Sequence, residues 1–260
     1  MQRKEQFKKL QNDMRQTAFD IPYGRLELGT DEIDTHLGGG LACGRVHLVN
    51  GPALTGSATG FMLAILARQM ARHPNRPVVW CGGASQASGQ LFAQGLLAMG
   101  LDPAHFIFVR ESHPMRAVAA MEEALSQPKL NAVICEYGIL SEKPDIWMKT
   151  GRRLQLAAET GGAIGLMLGR SASPSGFETA WHIAPDISQT SNPEIWDPCW
   201  QVQLRYMRGG SPWRGRLGFA VQTGCFTTPQ RSTGPSRPSV LPARTRTADS
   251  VLEKEVANVA

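Results

Sequence analysis

Gly51-Pro-Ala-Leu-Thr-Gly56-Ser57-Ala58 stands between a strand-like apolar run and an apolar helical run. A glycine-rich loop in that setting can cradle phosphate with its backbone amides. Against the pattern G-x-x-x-x-G-K-[S/T], Gly51 and Gly56 keep the required separation, but Ser57 occupies the lysine place and Ala58 the hydroxyl place. The lysine ammonium meets the β- and γ-phosphates and the hydroxyl holds magnesium, so both substitutions remove groups that carry phosphoryl transfer. Thr59 supplies a hydroxyl one residue later, where the helix turns it about 100° away from the metal position. A later apolar strand, Ala132-Val-Ile-Cys-Glu136, ends in the acid expected beside a nucleotide's metal, and Glu136 reads equally as a strand-end carboxylate facing solvent. Beyond the second strand, where a water-activating acid is expected, Trp80-Cys81-Gly82-Gly83 has none. Two readings stay open: weak ATP binding by the remaining amides and the helix N-terminus, or a tight turn with no ligand. No cofactor or metal is expected on either.

Other residues with chemical capacity are dispersed. Five cysteines show no C-x-x-C or Cys/His ligand spacing, which suits a reducing compartment and argues against a disulfide scaffold or zinc site. His36, His47 and His182 lie on separate elements and read as structural. Arg205, Arg208, Arg214 and Arg216 gather around the Gly209–Pro212 turn with Tyr206 and Trp213 nearby. They are candidates for DNA or partner contact, or else form a solvated hairpin tip.

The elements that must position these groups are legible from pattern. Short apolar strands at Arg45–Asn50, Pro77–Cys81, Phe106–Val109, Asn131–Glu136 and Ala163–Leu168 alternate with helical stretches around 58–72, 87–99, 114–126 and Ile146–Thr160. That alternation predicts a parallel sheet with helices on both faces. After residue 170 the texture changes: Trp181–Ile183, Trp200–Tyr206 and Trp213–Val221 are strand-like, and the alternation of Trp200, Val202, Leu204 and Tyr206 with polar neighbours marks a half-buried antiparallel strand. Residues 22–44 read as turn-rich. The expected fold is α/β, mostly parallel, with antiparallel strands at its C-terminal end.

Three segments are expected: an amphipathic N-terminal helix at 1–18, a folded body at 19–225 and a disordered basic tail at 226–260. Phe7, Leu10, Met14 and Ala18 form the apolar stripe of the first, suited either to closing over its own core or to docking on a neighbour. The net charge of +5 is confined to the ends: residues 1–18 contribute +3 and residues 226–260 contribute +2. The body is neutral, so a basic pI of about 9.1 does not describe a DNA-gripping surface. MQRKEQFKKL lacks the apolar region of a secretory signal, and the apolar runs are too short for a bilayer. A cytoplasmic protein is expected, without membrane association.

The stretch Leu26-Glu-Leu-Gly-Thr-Asp-Glu-Ile-Asp-Thr-His-Leu-Gly-Gly-Gly-Leu-Ala-Cys-Gly-Arg45, followed by the altered loop, resembles the ATPase core of the RecA family. The closer resemblance is to the ImuA family, RecA-like accessory proteins of bacterial translesion mutasomes. It is carried also by Leu91–Pro103, Met121–Leu125, Arg153–Glu159 and Leu204–Gly210, and runs from about residue 22 to 221. An altered phosphate loop is typical of that family. The resemblance implies a RecA-like fold and a non-catalytic adaptor in SOS-induced error-prone synthesis, partnered by an ImuB-like polymerase homologue. It extends to RecA, an error-prone polymerase and DNA as further partners, and to nucleoid association on induction. The alternatives are a RecA-type DNA-dependent ATPase whose contacts come from Glu136, Thr59 and a residue outside the loop, or from a neighbouring protomer, and a SulA-like cell-division inhibitor, a class of much shorter chains. In RecA-like folds DNA lies against loops after the fourth and fifth strands. The corresponding segments here, about 137–148 and 171–179, hold Lys143 against Glu142, Asp145 and Glu178, and so lack a positive track.

Overall fold

The computed structural model describes residues 21–52, 55–83, 91–139, 144–170, 174–187 and 197–229. Its frame is a nine-stranded sheet built from β3 (Val46–Asn50), β4 (Val78–Gly83), β5 (Phe106–Glu111), β6 (Ala132–Ile139), β7 (Ile164–Arg170), β8 (Thr179–Pro185), β9 (Cys199–Met207), β10 (Trp213–Ala220) and β11 (Cys225–Thr227). The spatial order is β11-β10-β9-β8-β3-β7-β6-β4-β5. From β8 to β5 the strands are parallel, and β9, β10 and β11 continue the sheet antiparallel.

Two apolar layers sandwich this sheet, as parallel strands buried on both faces require. On one face α2 (Ser57–Arg72) and α3 (Ala93–Ala98) bury Phe61, Met62, Ile65 and Leu96 against Val49, Trp80, Ile134 and Leu166. On the other, α4 (Pro114–Leu125) and α5 (Pro144–Gly161) bury Val118, Met121, Trp147 and Leu154 against Leu48, Val133 and Met167. Cys81 and Cys135 face each other in adjacent strands with no exposure, and burial raises both thiols, Cys81 to about 12. They serve as small hydrophobes.

The parallel and antiparallel parts of the sheet are tied together by Phe61. Its ring lies 5.8 Å from Trp181, 5.6 Å from Trp200 and 5.4 Å from Phe226, centroid to centroid. Phe226 is 1% exposed and pairs with Phe219, so the folded sheet runs past the boundary expected at 225. The rest of the expected tail, from 230, lies outside the described residues, as does the expected helix at 1–18. The segment expected as turns, 22–44, holds a two-residue ladder, β1 (Arg25–Leu26) with β2 (Leu41–Ala42), around a short helix α1 (Asp31–His36). The helix expected across 87–99 is present as Ala93–Ala98.

At the end of the sheet opposite the loop, Arg45 pairs with Glu159 and lies 3.7 Å from the Glu178 carboxylate, which Arg208 approaches to 3.6 Å. Burial raises the Glu178 carboxyl, with Arg208, Arg45 and Arg25 opposing that shift. Nearby, a hydrogen-bond relay crosses the core. The Trp181 indole donates to Thr179 Oγ1 at 2.6 Å, Thr179 lies 2.8 Å from His47 Nδ1, and His47 Nε2 lies 2.9 Å from the Ala42 carbonyl. The Ala42 carbonyl requires a proton on Nε2, and burial lowers the His47 pKa to about 4, so that near neutral pH the ring is uncharged and Nδ1 accepts from the Thr179 hydroxyl. A histidine held neutral in the fold and free to charge when unfolded weakens the fold as pH falls. Stability is expected to be level above about pH 6.5 and to decline from there to about pH 4, by a total of about 3 kcal/mol from this group. Urea titrations across that range in wild type and His47→Gln check it, since the variant lacks this component of the slope.

Candidate functional site

The loop Gly51–Gly56 joins β3 to α2 at the carboxyl end of the parallel strands, where ligands bind in open α/β sheets. Residues 53 and 54 lie outside the described residues. Both flanks of the loop converge on one atom, the carbonyl oxygen of Ile183, one residue beyond the last β3–β8 pair, Asn50↔His182. A Cβ on Gly51 would sit 2.3 Å from that oxygen and 3.1 Å from Ser57 Oγ, so only glycine allows the approach. Ser57 Oγ donates to the same oxygen at 2.8 Å.

Ser57, in the lysine place, is therefore turned inward, and the residue is 5% exposed. Thr55 Oγ1 donates to the Pro52 carbonyl at 2.9 Å and lies 2.8 Å from Ser57 Oγ. Both hydroxyls are committed to the loop's own closure. Ala58, in the metal-hydroxyl place, is 7% exposed within the core, and Thr59 on the next step of the helix is half-buried. Gly56 enters α2 with φ 65°, and no side chain caps the helix. The first-turn amides of α2 have no side-chain acceptor, the condition under which a helix N-terminus can meet an anion.

Glu136 lies at the same end of the sheet. It registers with Leu168 of β7, which registers with Val49 of β3, so one strand stands between the acid and the loop strand. That spacing puts the strand axes about 10 Å apart. Glu136 is half-buried, and its carboxyl is raised by burial, an effect the nearby Trp80 indole opposes. Gly82 packs against it: a Cβ there would meet the Glu136 carbonyl at 2.9 Å. The place of a water-activating acid is thus taken by the backbone contact that seats Glu136. Among the described residues no cluster of three His, Cys, Asp or Glu could hold a metal ion.

The four arginines divide into two kinds. Arg216 forms an ion pair with Asp186 at 2.5 Å, and Arg208 approaches Glu178. Arg205 and Arg214 are exposed and have no ion-pair partner among the described residues. Trp213 is half-buried against the first core and donates to Glu32 at 3.2 Å, and Tyr206 packs on the second core. His36 and His182 contact the Ser211 carbonyl and Asn50 Oδ1 respectively. The stripe Phe7, Leu10, Met14 and parts of the loops at 137–148 and 171–179 lie outside the described residues. Sequence reasoning missed Ile183 altogether, since a backbone carbonyl carries no residue-type signal.

No family model matches the chain. Protein ImuA from two strains of Caulobacter vibrioides is 34% identical over 205 residues, covering 72% of this chain and 80% of the relative. This chain belongs to the ImuA family. Among the described residues no helix is long and apolar enough to cross a membrane.

If the loop is held shut on Ile183, the two contacts can be weighed separately. Ser57→Ala is expected to lower stability by about 1 kcal/mol, the worth of one neutral hydrogen bond. Gly51→Ala is expected to cost more, because Ile183 is backbone and cannot swing aside. Denaturant midpoints of the two variants measure both. Equal midpoints for wild type and Ser57→Ala would place the serine in solvent instead.

Proposed function

We propose that this ImuA family member is a non-catalytic, RecA-like adaptor in SOS-induced translesion synthesis, acting with an ImuB-like polymerase homologue and an error-prone DNA polymerase. The observation that carries the reading is the inward serine. A phosphoryl-transfer loop must aim a cation at the β- and γ-phosphates and a hydroxyl at magnesium. Here the first group is Ser57, spent on the Ile183 carbonyl, and the second is the buried methyl of Ala58. Replacing them from within the chain would ask Glu136 and Thr59 to build a metal site across an intervening strand.

The same chemistry supports a weak role for direct nucleic-acid contact. Neutralising several phosphates takes several free cations, and two of the four candidates are already paired with carboxylates. Arg205 and Arg214 remain as a small exposed patch suited to a partner's acidic surface or to a few phosphates. Docking is assigned instead to the chain's ends, the Phe7, Leu10, Met14 stripe and the basic tail.

Two measurements test the reading. ATP turnover with single-stranded DNA and magnesium is expected to remain at background, and turnover abolished by Glu136→Ala would establish the ATPase instead. In pull-downs, an ImuB homologue is expected to be retained by the full chain and lost on removal of residues 1–18 or 226–260. Retention by both truncations would move the docking surface onto the body. Filamentation on expression without a mutagenic phenotype would favour the cell-division inhibitor.

A further inference from the structure

The sheet has two edges, and they are built differently. At one, β11 is three residues long, its Phe226 amide donates to the Leu28 carbonyl at 3.1 Å, and Pro229 lies just past its end. At the other, β5 keeps unbroken register with β4 from Val78↔Phe106 to Gly83↔Glu111, and among the described residues no strand lies beyond it. An edge strand presents unpaired N–H and C=O groups, which proteins usually blunt with proline, lysine, a bulge or a very short strand. β5 has none of these. Phe-Ile-Phe-Val fills its first four places, and its charges, Arg110 and Glu111, come last.

Both faces of that edge are apolar and open. Phe106 is buried in the first core and Phe108 stacks on it with centroids 6.0 Å apart, yet Phe108 remains 48% exposed. On the other face Val109 packs against the second core, and Ile107, two residues before it, is 51% exposed. Helix α3 lies on the Phe108 side: its Leu96 shares the first core with Phe106, and the helix touches the turn Pro103–His105 that enters β5. Leu97 of that helix and Phe92 at its N-cap are exposed as well.

What covers such an edge is another strand, because a row of amides and carbonyls is met best by a second backbone. The sequence of β5 selects a second copy of itself. Opposite residues of an antiparallel pair share a face, so a two-fold axis normal to the sheet must pass a residue that meets its own twin. Centred on Phe108, the pairing sets Phe108 against Phe108 and Ile107 against Val109, apolar on apolar on both faces. Arg110 and Glu111 carry one charge of each sign, so the two strands meet without net repulsion. We infer that β5 joins β5 of a second copy, antiparallel about a two-fold axis at Phe108, and makes the two sheets continuous. The exposed halves of Phe92, Leu97, Ile107 and Phe108 supply on the order of 800 Å² of apolar surface in the pair. That is below the ~1,200 Å² at which stable interfaces begin, so backbone pairing completes the contact and the dimer is reversible. The dimer does not rest on the adaptor reading: a chain that fails to bind an ImuB homologue still pairs, and a monomer leaves the loop chemistry unchanged.

The test is sedimentation equilibrium of the full chain over a range of micromolar concentrations. Wild type is expected to move from the 28.3 kDa monomer toward twice that mass as concentration rises. Phe108→Lys sets two like charges opposite each other and is expected to weaken association about 100-fold, whereas Phe108→Leu is expected to preserve it. Because Phe108 is half exposed, unchanged melting of dilute protein separates loss of pairing from loss of the fold. Hydrogen exchange reads the strand pairing itself. The amides of Phe106–Glu111 are expected to exchange more slowly in concentrated than in dilute wild type, and at one rate in Phe108→Lys. A chain monomeric throughout, a dimer of equal affinity in Phe108→Lys, or β5 amides insensitive to concentration would each overturn the inference.

Discussion

The structure depends first on how α2 lies on the sheet. Phe61 holds that helix by contact with Trp181, Trp200 and Phe226, which come from β8, β9 and β11. Large aromatic side chains bury much area and meet edge to face, so a single ring can join strands far apart in the chain. With α2 held there, its first residue falls against β8, where Ser57 meets the Ile183 carbonyl. The antiparallel end of the sheet is therefore part of what fixes the loop. Losing Phe61 would free the helix whose N-terminus is the remaining anion-binding feature.

That arrangement accounts for the residue types found at the loop. The glycines that permit the turn remain because the packing needs them: Gly51 has Ile183 against it regardless of any ligand. Ser57 needs no phosphate to satisfy its hydroxyl, and Ala58 needs no metal. The Ser57 and Thr55 hydroxyls find their acceptors in the Ile183 and Pro52 carbonyls. Glu136 is likewise accounted for by local packing, raised by burial beside Trp80 and against Gly82.

Much of the fold was legible in the residues. The alternation of apolar strands and helices located the parallel strands to within a few residues, since strands buried on both faces are written as unbroken apolar runs. Trp200–Tyr206 announced the antiparallel part by its alternation. What escaped is where short-range signal is weak. The two-residue ladder of Arg25–Leu26 with Leu41–Ala42 is too short for periodicity, and β11 is three residues beside a proline-rich tail. Among the candidate site residues, the arginines looked alike in sequence. Arg208 and Arg216 were separated from Arg205 and Arg214 only when Glu178 and Asp186 were brought beside them.

By itself the sequence determined which groups exist at the loop: two glycines at the right separation, a serine and an alanine where a lysine and a hydroxyl are needed. It also determined the order of elements and the confinement of net charge to the chain's ends. The direction in which Ser57 points was decided by tertiary structure alone. Its partner is a backbone oxygen 126 residues away, present at every residue type and so invisible in any motif. The same holds for Tyr23, whose hydroxyl meets a carbonyl 137 residues on. Residue identity states what a side chain can donate or accept. Only packing decides what it meets, because burial admits one partner and excludes water.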